Sequence, residues 1–327
     1  MKKIVGLVAL LLVIAVITAT FSYDPITDSN PFLSAYNLEN LLQRVGLFGV
    51  LSVAAAFVIV TGGIDLSIGA VVCVAGCLLP WFLRDLGWSA PLAILTTLAI
   101  AAAIGAWHGL LVVGLGLQPF VVTLCGLLLY RGIMRGFTGD QTMGLGDTAE
   151  ELRWLATGKV ALTEQFGLPV PMLLLVGIAV LTSFLWTRTV WGRHLFALGR
   201  NEEAARFAGV PTARLTVAAY IACSLLAGLG GCLFVLDVNS AQASNFGNFY
   251  ELYAIAGAVL GGMALRGGEG MVLGIVLGAA LMQLLPNTIR LLGDSDKLEF
   301  AVVGGVILAG AAADAVLARW WQRRPRR

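Results

Sequence analysis

Two segments of this chain carry residue types that do not belong in plain apolar helix. The first runs Thr61-Gly62-Gly63-Ile64-Asp65-Leu66-Ser67-Ile68-Gly69. Consecutive glycines end a helix readily because they adopt the left-handed conformation, and Asp65 with Ser67 can cap the helix that follows. A carboxylate in such apolar sequence costs at least ~2.5 kcal/mol to place in hydrocarbon, so Asp65 should face a cavity, water or a donor group. Two readings stand level. Gly62, Gly63, Asp65 and Ser67 line or hinge a pathway, or they form an ordinary tight turn at the inner membrane surface.

The second segment runs from Trp191 to Pro211. Asn201 can cap a short helix whose first turn carries Glu202 and Glu203, where the positive end of the helix dipole favours acidic groups. Ala205 and Arg206 fall within it, Gly209 supplies a left-handed stop, and Pro211 prevents continuation. Helices shorter than ~12 residues are marginal in water, so one punctuated at both ends must be held by docking. Ala204, Phe207 and Ala208 form its apolar contact face. The expected occupant is a cytoplasmic partner, and the competing reading is packing against the protein's own loops.

Other chemistry is sparse. No G-x-x-x-x-G-K-[ST] is present to hold nucleotide phosphates, and there is neither G-x-S-x-G nor H-E-x-x-H. Of the two histidines, His108 lies in an apolar run and reads as helix packing, since no carboxylate neighbours it at helical spacing, and His194 lies in a basic loop. Cys73, Cys77, Cys125, Cys223 and Cys232 all fall in apolar runs without a CxxC pair and read as small core residues. An intramembrane enzyme would need a convergent polar cluster that the sequence does not display. Gln118, Thr123, Gln242, Asn245, Asn248 and Gln283 could line a polar path, but each reads first as a helix–helix hydrogen bond or a loop group.

The elements that must position these residues follow from composition. Of 327 residues, 58% are hydrophobic and 12% charged, with a mean hydropathy of +0.88. These figures exclude a soluble enzyme and a disordered chain, and a net charge of +2 offers no basic face for nucleic acid. Ten apolar runs suit a bilayer core about 30 Å thick: 4–20, 45–62, 66–83, 91–115, 119–137, 169–187, 215–237, 251–265, 271–292 and 299–318. The expected fold is an all-α integral membrane bundle of about ten transmembrane helices in one domain. Residues 1–22 make a first crossing rather than a signal peptide, because the run is long and Thr18-Ala19-Thr20 is a poor cleavage site.

Residues 23–44 are expected to form an external interfacial segment, in which Asn37 caps a short helix with Leu38, Leu41, Leu42 and Val45 on its apolar face. The helical core spans 45–137 and 215–318. A long external loop covers 138–168, the loop 188–214 is cytoplasmic, and 319–327 is a basic tail. An even number of crossings puts both termini on one side. Placing them in the cytoplasm leaves thirteen of the 21 basic residues inside, while Asp140, Asp147, Glu150, Glu151 and Glu164 make the 138–168 loop acidic. Gly62-Gly63 and Gly261-Gly262 each end an apolar run and hint at an internal duplication. Gly105 with Gly109, and Gly270, Gly274 and Gly278, are spaced by four and read as close-packing faces.

Three motifs in one order resemble a known family, the permease subunits of sugar-type (ribose permease-like) ABC importers, over about Asn37 to Ala313. Thr61 to Gly69 resembles T-G-G-I-D-L-S-x-G. Gln118-Pro119-Phe120-Val121-Val122-Thr123-Leu124 resembles P-F-[IV]-x-T-L, and Gly199 to Arg206 resembles G-x-N-x-x-A-A-R. The resemblance implies a permease that translocates a monosaccharide of ribose, xylose or galactose type across a bacterial inner (plasma) membrane. It implies no cofactor on this chain, with ATP and Mg²⁺ held by a separate cytoplasmic ABC ATPase. The other implied partners are a periplasmic or extracellular sugar-binding protein, a second permease copy or close relative, and membrane lipid. Residues 202–208 then match the helix that couples to the ATPase, and Gln118, Pro119, Phe120 and Thr123 join the pathway or hinge set. Two rivals remain: a branched-chain amino-acid permease of the same superfamily, and an ion-coupled secondary transporter using Asp65, Asp237, Glu251 or Asp314.

Overall fold

A computed structural model describes residues 2–23, 25, 28–293, 300–305 and 308. Within them, α1 (Lys2–Phe21), α2 (Ala35–Ile59), α3 (Ile68–Pro80), α4 (Ala90–Gly114), α5 (Pro119–Thr138), α6 (Glu150–Thr157), α7 (Val170–Arg188), α8 (Val190–Arg200), α9 (Glu202–Phe207), α10 (Thr212–Val238), α11 (Tyr250–Leu260) and α12 (Val272–Leu291) follow in order. Four short strands, β1 (Thr142–Gly144), β2 (Lys159–Ala161), β3 (Gly167–Pro169) and β4 (Ser240–Gln242), form two antiparallel pairs, β1 with β4 and β2 with β3. A π-helical turn, Trp81–Asp85, prolongs α3.

Eight of these helices are long and apolar enough to cross a membrane. This multi-pass, all-α architecture is the one expected, with one difference among the described residues. The run 251–265 yields only the 11-residue α11, about 16 Å at 1.5 Å per residue and too short to span. The tenth run, 299–318, lies mostly outside the described residues, as do Asp314 and the 319–327 tail.

The core is α2, wrapped by α7, α10, α11 and α12, with all its residues from Val45 to Ile59 buried. The separate short helix expected within 23–44 does not form: Ser34, whose side chain accepts from the Asn37 N–H, caps a helix that continues unbroken to Ile59. Asn37 is therefore inside the first turn, because Ser34 offers a cap three residues earlier. Gly105 and Gly109 of α4 lie against the backbone of α10 at Tyr220 and Val217, and Gly274 and Gly278 of α12 lie against the backbone of α11. Gly270 does not belong to that helical face; it precedes α12 in a turn. Cys125 is exposed on α5, whereas the other four cysteines are buried.

The segment 138–168 is not a free lobe. Its Lys159 pairs with Glu39 of α2 at 2.6 Å, the Gly167 N–H donates to Glu39 at 2.7 Å, and Arg153 donates to the Leu236 carbonyl at 3.1 Å. It forms a lid across the ends of α2 and α10.

Candidate functional site

The turn after α2 is built by Gly62 at φ +87°, with the Gly63 N–H donating to the Val58 carbonyl and the Gly62 N–H to Ile59. The turn after α11 repeats this pattern 200 residues on: Gly262 has φ +94°, the Met263 N–H donates to Ala258 and the Gly262 N–H to Val259. The two turns touch. The Gly268 N–H donates to the Val60 carbonyl at 2.9 Å, and Gly267 lies against Gly62. Wedged onto both is Gly199 at the end of α8, whose Cα approaches the Val60 carbonyl and the Gly268 nitrogen so closely that no Cβ fits. Two glycine turns and the glycine near the end of α8 thus interlock where α8 and α9 join the bundle.

Beyond this seat, the Asn201 side chain accepts from the Ala204 N–H at 2.9 Å, as the capping argument requires, and α9 ends at a left-handed Gly209 with φ +80°. Ala205 turns inward and is buried, while Ala204 and Ala208 are exposed and Phe207 is 86% exposed. Glu202 and Arg206 pair along the helix at 2.8 Å. Nothing in the described chain covers the apolar face of α9. Sequence reading placed α8 within a loop, yet it is a helix capped by Thr189. Its Trp191 and Phe196 pack edge-on or tilted against Phe57 of α2 and Trp186 of α7. The signal was Thr189 followed by apolar positions at 191, 195 and 198.

Asp65 is 2% exposed and faces neither the cytoplasm nor open water. Its Oδ1 accepts from the Ser67 N–H at 2.8 Å and the Ser67 hydroxyl at 2.6 Å. Ser67 therefore makes no side-chain cap of α3, because its hydroxyl is already committed to Asp65. The Ser67 hydroxyl lies 3.5 Å from His108 Nδ1, and His108 Nε2 lies 2.8 Å from the Tyr130 hydroxyl. A carboxylate thus reaches His108 through a different element, which helical spacing could not reveal. Asp65 Oδ2 and the Tyr220 hydroxyl are both buried with no hydrogen-bond partner among the described residues.

Thr123 of α5 ties into the same loop, donating within reach of the Ile64 carbonyl at 3.2 Å and the Pro119 carbonyl at 3.0 Å, and Pro119 packs beside Gly63. Gly62, Gly63, Asp65, Ser67, Pro119 and Thr123 are therefore one cluster, while Phe120 points away and is exposed. A cleft of about 1080 Å³ opens beside it, lined by Gly62, Gly63, Gln118, Glu202, Arg206 and Tyr220 among others. Gly62, Gly63, Gln118 and Pro119 of the hinge set and Glu202 and Arg206 of the α9 set, far apart in sequence, line one cleft.

Of the remaining polar residues, Gln283 is buried within the bundle with its Nε2 unpartnered among the described residues. Glu251, expected at the end of an apolar run, lies in the first turn of α11 and is buried against Gly69 of α3. Arg131 of α5, which sequence reading passed over, donates to the Ala243 and Phe246 carbonyls at 3.0 and 3.2 Å. An arginine inside an apolar run was the signal available for it.

A family model described as the branched-chain amino acid transport system / permease component matches residues 37–311. The chain is 34% identical to the ribose import permease protein RbsC of Escherichia coli strain K12, over 94% of this chain and 92% of that one. It is 30% identical to the xylose transport system permease protein XylH of the same strain, over 94% and 91%, and 32% identical to its galactofuranose transporter permease protein YtfT, over 94% and 87%. No solved structure matches.

Proposed function

Because the chain belongs to the transport-system permease-component family matched over residues 37–311, we propose that it is the membrane-spanning permease of an ABC importer that moves a monosaccharide inward, driven by ATP hydrolysed on a separate cytoplasmic subunit. The observation that carries this reading is α9: a capped, apolar-faced peg with Phe207 86% exposed, following directly on Gly199 and Arg200 of α8, which sit on the turns that end α2 and α11. A docked ATPase that moves α9 displaces Gly199, and with it the interlocked Gly62 and Gly267 turns, so the push reaches the hinge loop around Asp65 as a switch between two packings.

The sugar assignment rests on the relatives named for ribose, xylose and galactofuranose, against a family title that speaks of branched-chain amino acids. In this reading the chain has no cofactor of its own. Its partners are the ATPase, a sugar-binding protein that delivers solute on the opposite face, and a second permease copy. Both termini are cytoplasmic, which keeps α9 and the arginine-rich 188–214 loop on the ATPase side.

The test is reconstitution of the permease with its ATPase and binding protein. Deleting Glu202–Ala208 is expected to abolish ATP-driven uptake of D-ribose, D-xylose or D-galactose while the protein remains in the membrane, and preserved uptake would overturn the coupling role.

A second reading, ion-coupled transport, draws on the buried carboxylates Asp65 and Glu251. Uptake that an uncoupler collapses and that survives loss of the ATPase would favour it.

A further inference from the structure

Between β4 and α11, residues 243–249 leave the external sheet and enter the bundle without forming a helix. Their depth can be followed residue by residue. The Ala243 carbonyl receives the Cys73 thiol, Phe246 lies on Gly76, and Gly247 packs against Gly69 and Val72, all on α3. Val72 in turn touches Gly231 of α10, whose neighbour Gly230 rests on Leu51 of α2. Leu51 is eight residues from Ile59, roughly 12 Å from the inner end of α2. In a hydrocarbon core about 30 Å thick, Gly247 therefore lies near the midplane.

Irregular backbone at that depth persists only where protein buries it or where it lines water, because lipid cannot satisfy its polar groups. The inner side of the segment meets this condition through protein: Arg131 donates to the carbonyls of Ala243 and Phe246. On the outer side the backbone closes turns of its own, the Asn245 N–H donating to Gln242 and the Asn248 N–H to Asn245, but the polar side chains have no such cover. Asn245 and Asn248 are exposed, and Phe249 is half exposed, with one side of its ring edge-on to Phe300 at 5.6 Å. The Asn245 side chain makes no hydrogen bond among the described residues, and Asn248 spends one N–H on the Ser244 carbonyl at 3.1 Å, which orients its amide. Phe249 sits at φ +65°, a conformation costly for an aromatic residue and found mostly where function over-determines the backbone. Two amides and a ring presented on a strained, unwound stretch match the chemistry that binds a sugar: planar donor–acceptor groups for hydroxyls and an aromatic face for the C–H side.

Resting on the sugar-importer reading, we infer that Asn245, Asn248 and Phe249 form the solute-contacting element of the translocation path, with Arg131 as the residue that positions it. Discontinuous helix at the midplane is where transporters commonly hold solute.

The experiment uses the permease assembled with its ATPase and binding protein in proteoliposomes. Cys125→Ser removes the one exposed cysteine of the described residues. Into that background go N245C, N248C and, as a control on the outer face of α5, L128C at a site 66% exposed. A membrane-impermeant sulfonated maleimide is expected to label 245 and 248 at least about ten-fold faster than 128, as for groups in water rather than lipid. Separately, N245A and N248A together are expected to cut uptake of whichever of D-ribose, D-xylose or D-galactose the unmodified complex imports by at least about ten-fold, since hydroxyl recognition is lost. Phe249→Trp should retain uptake that Phe249→Ala loses while both variants keep the parent's melting temperature, whereas a role only in packing against Phe300 would lower the Tm of Phe249→Ala along with its uptake. Labelling at 245 and 248 no faster than at 128, or undiminished uptake by the double variant, overturns the inference. If the unmodified complex imports none of the three sugars, the sugar reading fails, and the labelling result still decides whether the segment lines water.

Discussion

The two irregular regions of this molecule are built in opposite ways. In the first, α8, α9 and the two Gly-Gly turns are specified locally: Thr189 and Asn201 cap, Gly62, Gly209 and Gly262 stop, and each turn closes with its own hydrogen bonds. The 243–249 segment closes turns of its own, the Phe246 N–H donating to Gln242 and the Asn248 N–H to Asn245, but distant contacts seat it. It stays unwound because Arg131, more than a hundred residues away, holds its carbonyls, and because Gly69 and Gly76 of α3 leave room for it. A locally punctuated element can move as a unit, as a coupling peg must, whereas a segment fixed by distant contacts changes only when the helices around it do.

Breaking the first region should have the largest effect. Gly199→Leu forces a side chain into the Val60 carbonyl and the Gly268 nitrogen, so uptake should fall at least about 100-fold if the seat transmits the stroke, an effect worth roughly 3 kcal/mol in coupling. Uptake assays beside ATPase rates in the assembled complex check this: retained hydrolysis with lost transport is the expected signature.

The second region is broken through its holder. Arg131→Leu leaves the Phe246 carbonyl without a donor and the Ala243 carbonyl with only the Cys73 thiol, at about 1–3 kcal/mol for a buried group left unsatisfied. The detergent-solubilised protein should lose several degrees of Tm, and an unchanged melting curve would show that the segment does not depend on Arg131.

A sharper contrast lies within α9. Phe207→Ser removes an exposed ring, so stability should stay within about 0.5 kcal/mol of the parent while ATPase coupling falls. Ala205→Glu, at the buried position of the same helix, should do the reverse and lower stability first. Smallest of all, Thr189→Ala removes the α8 cap, whose hydroxyl accepts from the Gly192 N–H at 3.1 Å, at a cost of about 1 kcal/mol. Thermal unfolding followed by circular dichroism measures both.

What the sequence made legible follows the same divide. The caps at Asn201, the stop at Gly209 and the spans of α3, α4, α5, α7 and α12 were readable because propensity and periodicity act over a few residues. α2 was read in two pieces because its outer third is polar, yet Glu39 is held there by Lys159 and Gly167 from a distant loop. The His108 cluster escaped notice because its carboxylate arrives from the 61–67 turn. The run at 251–265 looked like a full crossing because hydropathy does not register that the residues before it are unwound. Gln242, Asn245 and Asn248 stood out as polar residues, but only the fold sets the latter two beside a strained aromatic at mid-depth.

The central claim is that α9 is an apolar peg awaiting a cytoplasmic ATPase. It is tested most directly by labelling F207C, in the Cys125→Ser background, with a soluble maleimide before and after the ATPase subunit is added. The account expects rapid labelling of the permease alone and strong protection in the complex, whereas equal labelling in both states would contradict it.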